Sequence, residues 1–135
     1  MEVLRRPDSV SIVAVDDDLV VVVRQTRAGA SGRTLELPAG SIEDGEIPEE
    51  TAARELAEEC GLTAGAWRRL GSFWAAPDYS TEFVHAYEAR ELADVGIGER
   101  EEGDDLVTER LPLARLVDEL SDANSLAALA LWLQR

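Results

Sequence analysis

At 135 residues the chain is long enough for one folded domain with a real core and too short for two. It has no lysine, thirteen arginines and a formal net charge of −15, a surface that repels nucleic acid and anionic lipid and so excludes broad polyanion binding. No long apolar run and no charged-then-apolar leader is present, so no membrane span or secretion is expected and the expected location is cytoplasmic.

Residues 1–8 are polar around Arg5, Arg6 and Pro7 and read as a lead-in. Val10, Ile12 and Ala14 alternate with Ser11 and Val13, a strand pattern, and Asp16-Asp17-Asp18 supplies a turn. Leu19 to Arg24 is a continuous apolar run ending in charge, as in a strand covered on both faces, and it should pair with the first strand as a hairpin. Ala28 to Arg33 reads as a loop, and Leu35 to Leu37 as a brief strand halted by Pro38.

From Pro48 to Cys60 the residues are mostly good helix formers. Pro48 suits the first turn, and Gly61 the left-handed position that stops a helix. Ala53, Leu56 and Cys60 should form its apolar stripe, which makes the lone Cys60 a small buried side chain. Trp67 to Trp74 and Glu82 to Arg90 read as strands separated by a break at Ala75-Ala76-Pro77-Asp78. Glu91 to Asp105 is acidic, contains three glycines and reads as a mobile loop before a last strand, Leu106 to Leu111. Two helices close the chain. The first should bury Leu113, Leu116, Val117 and Leu120; the second, capped by Ser121 or Asp122, should bury Leu126, Leu129, Ala130 and Leu133. Strands alternating with helices on both sides predict an α/β class, a mixed sheet sandwiched between helices.

The most informative stretch is residues 40–62, GSIEDGEIPEETAARELAEECGL. On the predicted helix Glu55 and Glu59 are four apart and Glu58 is three from Glu55, so three carboxylates share one side. Arg54 stands four residues from both Glu50 and Glu58 and can steady them. Three adjacent carboxylates are costly unless a cation neutralises them, and hard oxygen ligands of this kind suit Mg²⁺ or Mn²⁺. The glycine at 40 lets the backbone bend and frees a carbonyl, that of Ala39, to join Glu55, Glu58 and Glu59 around the metal. Such a site can clamp a pyrophosphate and activate water.

Written as a pattern, Gly40 is followed by five residues and Glu46, then seven residues and Arg54-Glu55-Leu56, then Glu58, Glu59, Gly61 and Leu62. This resembles the complete Nudix box, and the resemblance covers nearly the whole chain, residues 1–135 as one domain. It implies an α/β/α sandwich with a mixed sheet and metal-dependent hydrolysis of a nucleoside diphosphate linked to another group. Arg54 joins the catalytic set with Glu58 as the base from within the box. Val23-Arg24-Gln25-Thr26-Arg27, Glu36-Leu37-Pro38-Ala39-Gly40, Pro77 fifteen residues after Leu62, and Asp122-Ala123-Asn124-Ser125-Leu126 resemble the ADP-ribose and ADP-sugar pyrophosphatase branch.

In that branch Arg24 and Arg27 would reach phosphate or the terminal ribose; the other reading is that they cap a strand end and pair with acids. Glu36 would accept a bond from a sugar hydroxyl, or stand exposed on its strand. Trp74 or Tyr79, near Pro77, would stack on adenine, although core packing is the more frequent fate of Trp74. The branch often takes its base from a late loop, where Glu102 is the choice among Glu99, Glu101, Glu102, Asp104 and Asp105, in competition with Glu58. His85 is given no role. The implied substrate is ADP-ribose, cut to AMP and ribose 5-phosphate, with a homodimer as the implied assembly. A house-cleaning (d)NTP pyrophosphatase and a non-catalytic nucleotide sensor are the alternatives.

Overall fold

Strand β1 (Ser9–Asp16) organises the fold because both of its faces are buried. Val10, Ile12 and Ala14 face one side of the sheet, and Val13 and Val15 the other. The computed structural model describes residues 1–98 and 104–135. The further strands are β2 (Leu19–Arg27), β3 (Gly32–Glu36), β4 (Ala39–Ser41), β5 (Leu62–Trp74), β6 (Phe83–Asp94) and β7 (Val107–Pro112). They form one mixed sheet in the order β3-β2-β1-β6-β5, with β4 added to β1 and β7 to β2. β1 runs parallel to β6 and antiparallel to β2 and β4.

Helix α1 (Pro48–Cys60) covers one face, where Ala52, Leu56 and Cys60 meet Val10, Ile12 and Val21. Helices α2 (Leu113–Glu119) and α3 (Ala123–Leu133) cover the other, where Leu116, Leu129 and Trp132 meet Val13, Val20 and Val22. The expected mixed sheet between helices is therefore the fold. Among the described residues no helix is long and apolar enough to cross a membrane.

β1 and β2 do not stay together along their lengths. Their ladder joins Val15 to Val20 and Asp16 to Leu19 beside the turn, and Asp17 takes a left-handed φ of 53° within that turn. Beyond it β1 pairs with β4 and β6, while β2 pairs with β3 and β7. The sheet opens between the two groups, and a cleft occupies the opening.

Several local expectations shift. The strand predicted for Leu35 to Leu37 begins at Gly32, because Gly32 to Thr34 find backbone partners on an extended β2. Glu91 to Asp94, read as loop, continue β6, because β5 already starts at Leu62 and pairs with them. On α1 the buried row is Ala52, Leu56 and Cys60 at four-residue steps, which leaves Ala53 exposed. Val117 is exposed, since α2 is short and docks through Leu116 and Leu120, with Leu113 packed partly buried beside them. In α3 the buried stripe is Ser125, Ala128, Leu129 and Trp132, not Leu126, Ala130 and Leu133. Two polar contacts turn that helix: Ser125 Oγ accepts from the Leu37 N–H at 2.9 Å, and Trp132 Nε1 donates to Glu88 at 2.7 Å. Asp122 caps α3 by accepting from the Ser125 N–H at 3.0 Å.

Glu88 gives a test of this packing. It is buried on β6, and the same carboxylate oxygen meets Trp132, Arg68, Arg90 and Arg135. Burial pushes its carboxyl up, but the Trp132 hydrogen bond and the surrounding guanidiniums hold it below its ordinary value of 4.5. A depressed folded value stabilises the fold above the ordinary carboxylate range, and the contribution is lost as pH falls through the folded value. Glu88→Gln should therefore show a smaller loss of stability than the parent on acidification below about 4.3. Urea midpoints between neutral and acid pH measure it, and parallel curves would remove Glu88 from the acid response.

Candidate active site

α1 begins with Pro48 in its first turn, and the Glu50 carboxylate accepts the Ile47 N–H at 3.0 Å. It stops at Gly61, whose φ of 66° suits a residue without a side chain. Between these ends Arg54 is the hub. Its Nε donates to Glu46 at 2.7 Å, its Nη1 to Glu55 at 2.9 Å and Glu58 at 3.2 Å, and its Nη2 to the Ser41 carbonyl at 3.1 Å. The expected Glu50 partner is replaced by Glu46, because Glu50 is occupied at the helix start. Arg54, followed by the Glu43 backbone contact, holds the Glu46 carboxyl down at about 2. Arg54 thus ties the loop before α1 to the helix.

Glu55 passes directly over Gly40. A Cβ at residue 40 would lie 2.1 Å from the Glu55 Cδ, so the absence of a side chain there is what admits the carboxylate. Glu55 in turn shares a hydrogen bond with Glu59. Burial pushes both carboxyls up, most strongly in Glu59, where the neighbouring Glu55 adds to it. The Ala39 N–H donates to Glu59 and partly offsets that rise.

The ladder between β4 and β1 fixes where Ala39 points. The Ile12 N–H donates to the Pro38 carbonyl at 2.9 Å, so residues 12 and 38 form a hydrogen-bonded pair. Antiparallel pairs alternate, and Ser11 with Ala39 is then a non-bonded pair. The Ala39 carbonyl is accordingly turned away from β1. Two half-buried carboxyls bonded to each other, beside a carbonyl outside the ladder, form a donor set of hard oxygens that fits a divalent cation. Glu58 is exposed and accepts from Arg54 at 3.2 Å. Among the described residues no three acidic, histidine or cysteine side chains already converge as a metal cage.

A cleft of about 420 Å³ adjoins this pair through Ala39 and Gly40. One wall carries Arg27, whose guanidinium grips Glu36 with two parallel bonds of 2.9 and 3.0 Å, while Thr34 Oγ1 donates to Glu36 at 2.6 Å. Burial pushes the Glu36 carboxyl up, yet Arg27 and Thr34 hold it below the usual range, so it stays charged. Facing them are Ser9 and Ser11 of β1 and Asp122, Asn124 and Ser125 at the start of α3, with Arg6 and Glu82 also in the lining.

Arg27, Glu36 and Ala39 are therefore brought together, beside the α1 carboxylates. Arg24 is not: its guanidinium is engaged by Glu109 and by Glu119 at 2.9 Å, and it does not line the cleft. Trp74 is 57 % exposed and tilts against Phe83 at 4.7 Å between centroids, so the expected core packing gives way to a surface position outside the cleft lining. Pro77 is exposed in the turn between β5 and β6, also outside that lining, and Tyr79 is exposed. His85 contacts Asp8 at 3.2 Å and the edge of Phe83. Glu102 lies outside the described residues. Sequence reasoning missed Arg6, Ser9 and Ser11 in the cleft lining; the available signal was two serines on a strand otherwise made of core residues.

The family described as “NUDIX domain” matches residues 5–133. The chain belongs to the Nudix family. Nudix hydrolases generally use divalent metals, in keeping with the oxygen donors on α1. The chain is 39% identical over 93 residues to an ADP-ribose pyrophosphatase of Bacillus subtilis, covering 68% of this chain and 50% of the relative. It is 44% identical over 97 residues to an ADP-ribose pyrophosphatase of Mycobacterium tuberculosis, covering 70% and 47%. It thus spans about half the length of these curated relatives. A crystal structure described as an ADP compounds hydrolase superposes with a TM-score of 0.84 at 30% identity, over 96% of this chain and 74% of that one.

Proposed function

We propose that the chain hydrolyses the diphosphate link of an ADP-containing substrate, preferentially ADP-ribose, to AMP and ribose 5-phosphate. The observation that carries this is the junction at Ala39 and Gly40, where the α1 carboxylates adjoin a cleft walled by Arg27 and Glu36. The relatives named as ADP-ribose pyrophosphatases support the same substrate class.

Glu55, Glu58, Glu59 and the Ala39 carbonyl would hold Mg²⁺, with Mn²⁺ as the alternative. When bound, the metal supplies charge neutralisation at the diphosphate and a more acidic water. Arg54 keeps Glu55 and Glu58 in place through bonds of 2.9 and 3.2 Å. Arg27, fixed by Glu36, orients the diphosphate against the carboxylate face. Water adds to one phosphorus, the bridging P–O bond breaks, and a glutamate accepts the water proton, Glu58 or Glu102. Arg24, Trp74 and Pro77 carry no step in this reading.

Product analysis with Mg²⁺ tests it on ADP-ribose, ADP-glucose, NADH, diadenosine polyphosphates and dNTPs. AMP with ribose 5-phosphate from ADP-ribose is the expected outcome. Pyrophosphate released from dNTPs, with ADP-ribose untouched, would overturn the substrate assignment and leave only the diphosphate chemistry.

A further inference from the structure

At the β5 edge of the sheet three guanidiniums crowd one carboxylate. Arg68 of β5, Arg90 of β6 and Arg135 just after α3 approach the same Glu88 oxygen at 3.4, 3.2 and 3.3 Å, and the Trp132 indole donates to it at 2.7 Å. One carboxylate offsets one of three charges, so the group carries a surplus of two. Counting Arg69 next to Arg68, and a carboxylate at the end of the chain, leaves that surplus unchanged. Such a gathering runs against the rest of a chain whose net charge is −15. Like charges this close repel, and Glu88 with its indole bond is satisfied by fewer cations.

Two of the three, Arg68 and Arg135, open onto a hollow of about 240 Å³ between β5 and the end of α3, which Arg69, Leu70, Leu131 and Gln134 complete. None of these residues lines the cleft beside α1. The donors around the hollow are held in place. Arg135 lies over the Trp132 ring at 4.3 Å and donates to the Trp132 carbonyl at 2.7 Å, while Arg69 donates to Ser72 Oγ at 2.5 Å. A guanidinium has five N–H donors, and among the described residues Arg68 and Arg69 each use only one nitrogen. Glu88 is buried and does not line the hollow.

These features select an anion, and the surroundings select a small one. A planar fork of N–H donors matches the oxygens of a phosphate better than a spherical halide. A surplus of two charges suits a dianion. A nucleic acid or an acidic polypeptide would extend beyond the hollow over a surface that repels it.

We propose that the hollow between β5 and the end of α3 binds a small phosphate, free or as a monoester, through Arg68, Arg69 and Arg135. This site is separate from the hydrolysis proposed above and does not rest on it.

Phosphate can also meet Arg27 and the α1 carboxylate face, so the test reads position as well as affinity. Backbone amide shifts of the isotope-labelled chain are followed as inorganic phosphate is added, at fixed ionic strength and with divalent ions chelated. The amides of Leu70, Leu131 and Gln134 should shift saturably, and chloride in place of phosphate should not move them. Arg27→Gln should leave these shifts as they are. Arg69→Gln, which gives up only the Ser72 contact, should weaken phosphate here about tenfold, the scale of one hydrogen bond to a charged group. Arg68→Gln added to it should abolish the saturation; if that double variant does not fold, the single variant and the parent shifts still decide. Ribose 5-phosphate and AMP, titrated in the same way, identify the source. Saturation at lower concentration than inorganic phosphate supports an ester as the occupant, and the reverse supports the free ion. Shifts confined to the cleft residues Ser9, Ala39 and Gly40, a response shared by chloride, or a saturation untouched by Arg69→Gln would overturn the proposal. The arginines would then be a structural clasp for Glu88 alone.

Discussion

Glu59→Gln is expected to lower turnover of ADP-ribose by about 10²–10³-fold, the scale of removing one preorganised charge-stabilising group, while the fold is kept. The side chain is mostly buried, bonded to Glu55 and to the Ala39 N–H. Glutamine matches its shape and keeps an oxygen for that N–H. It cannot ionise, and a hard divalent cation loses an anionic ligand that no neighbour replaces. Stability should hold or rise, since burying an amide avoids the cost of burying a charge. Turnover over a Mg²⁺ series, with a thermal melt on the same sample, separates the two effects. Near-parental turnover at ordinary Mg²⁺ would remove Glu59 from the metal site; a lowered melt with lost turnover would make its role structural.

What could be read in the sequence was what local chemistry fixes. Pro48 and Gly61 mark the ends of α1 by their own backbone preferences, and the helix runs between them. The spacing of Glu55, Glu58 and Glu59 then needs only helical geometry. Arg54 shows the limit. Glu50 is a valid neighbour by helical spacing, but the fold brings Glu46 from the preceding loop, and Glu50 is taken by the Ile47 N–H. Nothing in a periodic pattern ranks those two partners.

The substrate wall was harder for a related reason. The resemblance to the pyrophosphatase branch assigns Arg24 and Arg27 to one site. β2 runs through Arg27, and residues three apart on a strand point to opposite faces. Arg24 therefore follows Val20 and Val22 to the α2 side, where Glu109 and Glu119 engage it, while Arg27 turns to Glu36. In α3 the apolar count allowed more than one rotation, and partners distant in sequence, Leu37 and Glu88, decided it. Ser11 was legible only as a polar residue on a core strand; its place in the cleft lining depends on partners distant in sequence.

Gly40→Ala tests the junction between the metal face and the cleft. The residue needs no unusual φ, so the effect would come from space alone. An added Cβ meets Glu55 Cδ at 2.1 Å, Oε1 at 2.3 Å and Cγ at 2.5 Å, distances that no Cβ occupies. A side chain can swing away, but Glu55 is held by Arg54 at 2.9 Å and by Glu59, so moving it breaks contacts on both sides. Overpacking of this kind costs about 1–3 kcal/mol. Activity should fall further than stability, because a misplacement of about 1 Å at a catalytic group can cost about 10²-fold. Urea unfolding and turnover of ADP-ribose measure the two losses. Adding Glu55→Asp shortens the displaced side chain by one methylene, so the double variant should recover stability relative to Gly40→Ala, a non-additive result for residues in contact. It should not recover activity, because the shorter carboxylate no longer reaches the position it holds over Gly40. Additive losses, or a Gly40→Ala enzyme with parental turnover, would mean that the passage of Glu55 over Gly40 is incidental to the chemistry.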